Sequence, residues 1–303
     1  MNKRAAPDSA AVAFRCGQVA IVGKPSVGKS TLLNALVGAR IAITSRRPQT
    51  TRHRLRGILT TPQAQFIFVD TPGFQMQHRT RLNERMNRSV RDCVAGVDAI
   101  VLVLESRPLA AADRDVIALL PRGVPVIAAV NKVDRLRDRA RLLPLLAEIG
   151  AAHDFVAIVP VSAEKRWQLD ALIAEIAACL PPGPPVYAAD DLTDRDERFL
   201  AAEYLREKIF RLLGQELPYA SAVQIDDFTQ EGALRRIRAT ILVQKASQRA
   251  ILLGSEGARM KAIATAARRD MERLFGGKVF LEVWVRVKPH WADDERILTQ
   301  LGY

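Results

Sequence analysis

The N-terminal part of the chain contains the octapeptide Gly23-Lys24-Pro25-Ser26-Val27-Gly28-Lys29-Ser30, followed by Thr31. Its spacing matches the phosphate-binding pattern GxxxxGK[ST], and it lies between an apolar segment that predicts a strand and a segment that predicts a helix. Glycines let the backbone curl so that its N–H groups face a phosphate, and the first turn of the helix adds a positive dipole end. We expect Lys29 to reach the β- and γ-phosphates of a nucleotide, and Ser30 to offer its hydroxyl to Mg²⁺.

Three further motifs follow in the order that a guanine-nucleotide switch requires: Asp70-Thr71-Pro72-Gly73, Asn131-Lys132-Val133-Asp134 and Ser162-Ala163-Glu164. Asp70 is placed to hold Mg²⁺ through water, and the Gly73 N–H to face a γ-phosphate. The Asp134 carboxylate can accept two hydrogen bonds from guanine N1 and N2, and the Ala163 N–H can reach guanine O6. Each motif alone is weak evidence, because Asp and Asn often end strands as turn formers. All four together predict a site for GTP or GDP with Mg²⁺.

The basic segment between the first predicted helix and the second strand carries two adjacent threonines, Thr50 and Thr51. One of them is expected to contact Mg²⁺ and the γ-phosphate in the triphosphate state, and Thr51 is the candidate. The other is then an ordinary polar loop residue. The predicted catalytic residues are therefore Lys29, Thr51 and Gly73. His53, two residues beyond Thr51, is interpreted as a strand residue rather than a base.

Short apolar runs alternate with helix-like stretches between residues 18 and 179, which is the pattern of βαβ units in a parallel sheet. The predicted strands are 19–22, 66–69, 99–104, 124–130 and 156–161, and the predicted helices are 29–37, 113–120, 138–149 and 169–180. The pattern stops at residues 181–185, Pro-Pro-Gly-Pro-Pro, because consecutive prolines donate no hydrogen bonds. We therefore expect a flexible tail at 1–14, a doubly wound α/β P-loop domain at 15–181, a linker at 182–197 and an α+β domain at 198–303.

The second domain is predicted to contain a helix at 199–212, strands at 222–228 and 234–243, a helix at 258–275 and a strand at 279–287. Before the long helix lies Gly254-Ser255-Glu256-Gly257, a GxxG pattern that by itself is usually a plain turn. The helix has an apolar stripe that we interpret as core. Its basic residues near the loop are interpreted as phosphate contacts, so the RNA-binding candidates are Gly254, Ser255, Gly257, Arg259 and Lys261. Trp284 in the final strand is interpreted as a core residue.

The 303 residues carry a formal net charge of +12, with 49% hydrophobic and 26% charged residues. This composition is typical of a soluble globular protein, and no apolar run approaches the roughly 18 residues of a membrane-spanning helix. Residues 9–69 contain nine Lys or Arg and no Asp or Glu, which favours a polyanionic partner and leaves a solvated basic face as the alternative. The cysteines, Cys16, Cys93 and Cys179, lack metal-binding spacing and are expected to be buried thiols of a cytoplasmic protein.

With these motifs the chain resembles the Era-type GTPases, in which a G domain is followed by a KH domain of the prokaryotic type. The resemblance extends from about residue 18 to residue 303, and it includes the segment Pro48-Gln49-Thr50-Thr51-Arg52-His53-Arg54 and the stretch 279–288. It implies GTP hydrolysis, a single-stranded RNA site at the GxxG loop, and small-subunit (16S) rRNA near its 3′ end and the 30S subunit as partners in ribosome assembly. It also implies a cytoplasmic monomer, and leaves peripheral association with the anionic inner face of the cell membrane as an option.

Three positions bear on how such a protein would work. Phe74 follows Gly73, where many small GTPases have a glutamine that orients the attacking water, so slow intrinsic hydrolysis is expected. Ser26 stands where some relatives have an asparagine that helps to hold potassium, and Glu256 stands where relatives commonly have a lysine.

Two alternative functions remain open: a nucleotide-gated RNA-binding module with negligible catalysis of its own, and a GTPase acting mainly at a membrane surface.

Overall fold

The computed structural model of the chain describes residues 13–44, 55–71, 94, 96–213 and 217–301. Several residues singled out above lie outside the described residues: Thr50, Thr51, His53, Pro72, Gly73, Phe74 and Cys93. The predicted tail also lies outside them, except for residues 13 and 14. Among the described helices, none combines the length and apolarity needed to cross a bilayer.

The N-terminal domain is built on a six-stranded sheet with the strand order β2-β3-β1-β4-β5-β6. Its strands are β1 (Arg15–Val22), β2 (Leu55–Thr60), β3 (Ala64–Asp70), β4 (Ala99–Glu105), β5 (Val126–Asn131) and β6 (Ala157–Pro160). Its helices are α1 (Lys29–Val37), α2 (Ala111–Ala118), α3 (Leu142–Gly150) and α4 (Leu169–Cys179). All neighbouring strands are parallel except the pair β2 and β3. The predicted, mostly parallel α/β sheet is confirmed.

The central strands are apolar at nearly every position because helices cover both faces of the sheet. In β1, Val19 and Ile21 belong to the core cluster that includes α1 and α4, whereas Ala20 and Val22 belong to the cluster that includes α2 and α3. Successive side chains of one strand thus enter two separate cores. This double burial fixes the strand, and it holds the loop at the carboxyl end of β1 in place.

The strand β2 was missing from the predicted set. Arg56 and Gly57 interrupt its apolar run, and it is an antiparallel strand at the edge of the sheet. Its outer edge is not open to solvent, because the linker covers it. The Ile58 N–H donates to Leu192 O at 2.9 Å, and Thr193 Oγ1 donates to Arg56 O at 2.7 Å. A covered edge strand cannot pair with another chain, which is one way proteins avoid aggregation.

The proline-rich linker is docked on the N-terminal domain along much of its length. The side chain of Gln65, which is fully buried in β3, accepts the N–H groups of Val186 at 2.7 Å and Tyr187 at 2.9 Å. The Gly183 N–H donates to Phe14 O at 2.9 Å. Phe14, a residue of the predicted tail, therefore takes part in holding the linker.

The C-terminal domain has a three-stranded sheet in the order β7-β8-β9. Its elements are α5 (Glu197–Leu212), β7 (Ser221–Glu231), β8 (Leu234–Val243), α6 (Ala246–Leu253), α7 (Ala258–Phe275), β9 (Lys278–Val287) and α8 (Glu295–Gln300). Strands β7 and β8 are antiparallel, whereas β8 and β9 are parallel. Helices α5 and α7 pack on one face of this sheet and form a single core with it. The helices α6 and α8 were not predicted, because each spans only about two turns.

Two interpretations of burial were wrong. Trp284 is 66% exposed, because it occupies a position of β9 whose side chain faces away from α5 and α7. Cys16 and Cys179 are free thiols that are half-buried rather than buried, since Cys16 lies near the start of β1 and Cys179 is the last residue of α4. The tryptophan that does serve the core is Trp291, which is fully buried and packs with Leu242 and Leu298.

Candidate functional site

The phosphate loop joins β1 to α1 and requires glycine at two positions. Gly23 has φ of 148° and Gly28 has φ of 106°, conformations that L side chains rarely adopt. A Cβ on Gly23 would stand 2.5 Å from Val103 O, and one on Gly28 would collide with the Asn131 side-chain amide. The close approach of the guanine motif to the phosphate loop thus depends on the missing side chain of Gly28.

Lys29 begins α1 inside this loop and is only 6% exposed. Its ammonium donates to Gly23 O at 2.9 Å and to Lys24 O at 3.0 Å, so the loop backbone wraps around the charge. Burial lowers the pKa of Lys29 to about 8, and the negative charge of Asp70 only partly offsets that effect. A desolvated cation at the N-terminus of a helix is an anion-binding arrangement.

Ser30 and Asp70 form the oxygen-rich side of the site. Asp70 is fully buried at the carboxyl end of β3, and the Ser30 hydroxyl donates to its Oδ2 at 2.7 Å. Thr71 Oγ1 donates to Ile21 O at 2.9 Å, which ties the following turn to β1. A hydroxyl and a carboxylate side by side are the hard oxygen ligands that Mg²⁺ prefers, so these residues fit the predicted metal.

The guanine motif after β5 is tied to the phosphate loop by two of its side chains. Asn131 Nδ2 donates to Val27 O at 3.0 Å, and Lys132 Nζ donates to Ser26 O at 2.7 Å. Lys132 has φ of 66° and Ser26 also has φ of 66°, both unusual for residues with a Cβ. The hydrogen bonds pin each strained residue to the other loop, so the two loops form one structural unit.

The loop after β6 completes the predicted base site and supports Asp134. The Ser162 hydroxyl donates to Asp134 Oδ1 at 2.5 Å, which orients the exposed carboxylate. The Ala163 N–H donates to Asn131 Oδ1 at 3.0 Å. Because that N–H already has an acceptor, its predicted contact with guanine O6 would be a shared, three-centre hydrogen bond. Glu164 lies 3.6 Å from Arg135 at the surface.

Sequence reasoning missed two carboxylates that support the phosphate loop. Glu105 at the end of β4 pairs with Lys132, and Asp113 in the first turn of α2 pairs with Lys24 at 3.1 Å. The side chain of Lys24 is therefore turned toward α2, and only its backbone faces Lys29. The position of Glu105 at the carboxyl end of a parallel strand was the available signal, because functional residues gather at that edge.

The GxxG loop lies between α6 and α7. Gly254 has φ of 72° and Gly257 has φ of 75°, and between them Glu256 adopts φ of 50°. A Cβ on Gly254 would stand 2.8 Å from the Arg259 Cβ, whereas one on Gly257 would meet nothing within 4 Å. Ser255, Glu256 and Lys261 are exposed, and Arg259 donates to Ile251 O across the loop. The loop thus presents open backbone beside two cations.

The basic residues farther along α7 are engaged within the protein. Arg268 lies 2.8 Å from Glu272, and Arg273 lies 3.5 Å from Asp270. Arg268 and Arg273 are therefore better described as part of an ion-paired surface than as phosphate contacts. The phosphate-contact candidates stay at the N-terminal end of α7, next to the loop.

The two domains meet at Glu207, a fully buried carboxylate of α5. Its Oε1 accepts the Thr44 N–H at 3.0 Å, and its Oε2 pairs with Arg40. Arg40 also lies 2.8 Å from Asp270 of α7, and Lys208 pairs with both Asp270 and Glu207. Arg211 also lies 3.0 Å from Glu207, so groups from both domains share one charge cluster.

The pKa shifts in this cluster show that its charges support one another. Burial acts to raise the pKa of Asp270, but the hydrogen bond from Lys208 and the charge of Arg40 outweigh it and lower that pKa. Burial raises the pKa of Tyr204 to about 12, and its hydroxyl donates to Arg40 O at 2.6 Å.

Thr44 directly precedes the segment 45–54 that contains the predicted Mg²⁺ ligand Thr51. The interdomain cluster therefore adjoins, along the sequence, the segment with the predicted Mg²⁺ ligand.

A parallel sheet with a phosphate loop after its first strand, a buried lysine and a guanine motif defines a P-loop GTPase domain, and the GxxG loop between two helices defines a KH domain. Comparison with known proteins agrees. A family model described as a 50S ribosome-binding GTPase matches residues 18–132, and a KH domain model matches residues 216–292. The chain belongs to the Era family of GTPases.

The relatives that show this family match almost the full chain. GTPase Era of Nitrosomonas eutropha is 53% identical over 290 residues, which cover 96% of this chain and 98% of that protein. GTPase Era of Chromobacterium violaceum is 51% identical, covering 95% and 98%. Two solved Era structures are also similar to this chain. One is an Aquifex aeolicus variant bound to GDP·AlF4⁻, and the other is a complex with MgGDPNP and nucleotides 1506–1542 of 16S ribosomal RNA. Each has a TM-score of 0.92 at 35% identity and covers 96% of this chain and 99% of its own.

Proposed function

We propose that this protein is a Mg²⁺-dependent GTPase that binds small-subunit rRNA near its 3′ end and acts in assembly of the 30S subunit. One observation supports the proposal most strongly: a phosphate loop built around Lys29 and an open GxxG loop occur in one chain, whose domains share the charge cluster at Glu207. The Era structure with MgGDPNP and 16S rRNA nucleotides supports both ligands for a relative of the same fold.

In the nucleotide site, each residue has a separate task. Lys29 neutralises the β- and γ-phosphates, and the backbone N–H groups of residues 24–30 face them. Asp134 accepts hydrogen bonds from guanine N1 and N2, while Ser162 holds its carboxylate in place. Ser30, Thr51 and Asp70 would hold Mg²⁺, which would offset the negative charge that develops on the phosphates. Gly73 offers its N–H to the γ-phosphate.

Hydrolysis by this chain alone is slow in this account. The side chain after Gly73 is Phe74, which cannot hydrogen-bond the attacking water. The rate of an unassisted switch GTPase is on the order of 10⁻⁴ s⁻¹, and a group that positions the water raises it by several orders of magnitude. Bound RNA or the ribosomal subunit would then set the time of hydrolysis.

The nucleotide state reaches the KH domain through the interdomain cluster. If bound GTP acts on the segment 45–54 through Thr51, the neighbouring Thr44 N–H is displaced as well. Thr44 donates directly to Glu207, so a displacement acts on α5 and, through Lys208 and Arg40, on Asp270 of α7. Helix α7 begins at the GxxG loop.

The protein acts in the cytoplasm as a monomer, and association with anionic membrane remains a separate prediction.

Crosslinking in cells followed by sequencing of the bound RNA tests the proposal directly. The expected result is enrichment of the 3′ end of 16S rRNA with the wild-type chain, and its loss with Gly257→Asp. Lys29→Ala should bind no triphosphate and should alter the recovered RNA because the GTP state is not reached. Recovery of unrelated RNA, or equal recovery with Gly257→Asp, would overturn the assignment. Phosphate release that stays at background with this RNA present would favour a nucleotide-gated binding module.

A further inference from the structure

The outer face of the KH sheet exposes two large aromatic side chains. On β9 the residues alternate, so that Val279, Leu281 and Val283 pack toward the helices while Phe280 and Trp284 face outward. Phe280 is 47% exposed and Trp284 is 66% exposed. Rings of this size are usually buried because burial removes a large apolar area from water. Two of them on the same side of one strand form an unexplained surface.

Neither ring is needed for the packing of this domain. The two principal core clusters near the sheet are filled by other residues, including the buried Trp291, whose indole N–H donates to Ala220 O at 3.0 Å. Trp284 instead lines a surface cavity together with charged and polar side chains: Asp226, Arg238, Thr240, Arg249 and Arg286. Three of these neighbours are arginines, and Val285 and Val287 complete the lining of the cavity.

The strand β8 contributes two arginines to this face, and both are ion-paired. Arg236 lies over the Phe280 ring at 5.6 Å and pairs with Glu231 at 3.0 Å, and Arg238 pairs with Asp227 at 3.2 Å. The acidic partners lie on β7, at the far side of the face.

Closer to Trp284 the cations are less compensated. Within the part of the chain that the structure describes, Arg249 and Arg286 form no ion pair, and Lys288 follows at the end of β9. Asp226 is engaged by the Thr240 hydroxyl at 2.7 Å, and Glu282 is the acidic residue that faces outward on β9. Aromatic faces beside unpaired arginines are the combination that single-stranded nucleic acid binds, with bases on the rings and phosphates on the cations.

The geometry favours a single strand over a duplex. Phe280 and Trp284 are four residues apart on one strand, so their rings lie about 13 Å apart and would stack on different bases. Bases are available for stacking only when they are unpaired, because an A-form helix hides their faces. Arg249 is on α6, the helix that ends at the GxxG loop. One RNA strand can therefore leave that loop and continue past α6 onto the sheet.

We propose that the outer sheet face around Trp284 and Phe280 is a second contact surface for single-stranded RNA, which extends the strand bound at the GxxG loop. This inference rests on the proposed RNA-binding function, but it concerns a separate face of the domain. The loop clamps about four nucleotides by their backbone. The sheet face adds stacking for nucleotides beyond these, and so lengthens the bound segment.

Fluorescence anisotropy with two labelled single strands from the 3′ end of 16S rRNA tests this surface, one of about four nucleotides and one of about 14. Trp284→Ala should weaken binding of the longer RNA roughly ten-fold and leave the shorter RNA unaffected. Trp284→Phe should restore most of the affinity, because a ring remains. Leu143→Ala, which removes another exposed apolar side chain far from the KH sheet, is the matched control.

The outcomes separate the two proposals. If the wild-type chain binds neither RNA, the proposed function fails and this surface fails with it. If both RNAs bind and Trp284→Ala binds them like the wild type, the second surface is overturned while the loop site stands. Loss of self-association or of a protein complex in Trp284→Ala, with RNA affinity unchanged, would also overturn it by showing a protein-binding face. A thermal melt of each variant checks that the domain remains folded.

Discussion

At the scale of single residues, we expect Lys29 to determine how nucleotide binding depends on pH. Its pKa is lowered to about 8 by burial, and bound phosphates raise it again by adding negative charge. Below that pKa the amine is charged with or without nucleotide, so no proton is exchanged. Above it, the free protein holds a neutral amine, and binding must take up a proton.

GDP affinity is therefore expected to fall about ten-fold between pH 7 and pH 9, with uptake of close to one proton per site at the higher pH. Calorimetry in buffers with different ionisation enthalpies measures that uptake. Lys29→Arg is the control, because a guanidinium stays charged throughout this range. Any proton exchange that comes from the guanine base is then measured in this variant as well. Equal proton uptake in both proteins would show that Lys29 is not the titrating group.

We expect Asp134 to determine which nucleotide base is bound. A site built around paired hydrogen bonds rejects an analogue without the donors by roughly 10⁴ or more, so GTP should bind far more tightly than ATP. Asp134→Asn should redirect binding toward xanthine nucleotides, which offer the complementary groups. Asp138→Asn, a change at a nearby aspartate that caps a turn, should leave the preference intact. Competition binding with the three triphosphates measures this, and comparable affinities of the wild type for ATP and GTP would refute the assignment.

Residue roles differed in how far the sequence could predict them. Gly23, Lys29 and Ser30 could be placed because a phosphate loop is a local structure with fixed spacing. The support from Asp113 for Lys24 could not, because it depends on how α2 packs against the loop. Trp284 was misplaced for a related reason: an apolar strand of a three-stranded sheet is covered on one face only, and the alternation alone does not tell which.

At the scale of secondary-structure elements, the contact of α5 with the loop after α1 depends on Glu207. Glu207→Gln removes a buried negative charge from a cluster that contains Arg40 and Lys208. Breaking one partner of a buried pair leaves uncompensated charge, and we expect a loss of about 3 kcal/mol in unfolding free energy. Urea unfolding measures this loss, and hydrogen exchange at the Thr44 N–H measures the contact itself. Glu231→Gln, which breaks a surface ion pair, is the control, and its loss of unfolding free energy should stay under about 1 kcal/mol. Equal losses in the two variants would contradict the role assigned to Glu207.

The GxxG loop between α6 and α7 makes a prediction about salt. Three or four neutralised phosphates give a slope of about −2 to −3 in a plot of log affinity against log salt, or roughly 30-fold weaker binding between about 50 and 200 mM. Glu256→Lys should tighten binding and steepen the slope by about 0.7. Gly257→Asp should do the reverse, because it adds negative charge at a position with φ of 75°.

Fluorescence anisotropy with a short single strand measures both loop variants. GTP affinity, measured in parallel, should be unchanged, since both positions lie in the other domain. If both variants bind RNA like the wild type at every salt concentration, the loop is an ordinary turn. The sequence placed this loop correctly but missed α6 before it, because a helix of eight residues with a polar first half carries too few turns to show helical periodicity.

At the scale of the whole molecule, the order of two domains could be predicted, but their contact could not. The G-domain motifs and the proline-rich segment 181–185 indicated where one unit ends and another begins. The cluster of Arg40, Glu207 and Asp270 joins residues more than 160 positions apart, and no local pattern connects them. We propose that this contact couples the two domains, because coupling requires elements whose arrangement both ligands bias.

The central claim is that GTP and single-stranded rRNA bind to one coupled protein. Coupling between sites is typically about 5- to 150-fold in affinity and is reciprocal. The most direct measurement is the affinity for a short strand from the 3′ end of 16S rRNA, determined with a non-hydrolysable GTP analogue and with GDP. We predict at least a five-fold difference in the wild type and a smaller one in Glu207→Gln. Equal affinities in the two nucleotide states of the wild-type protein would contradict the account.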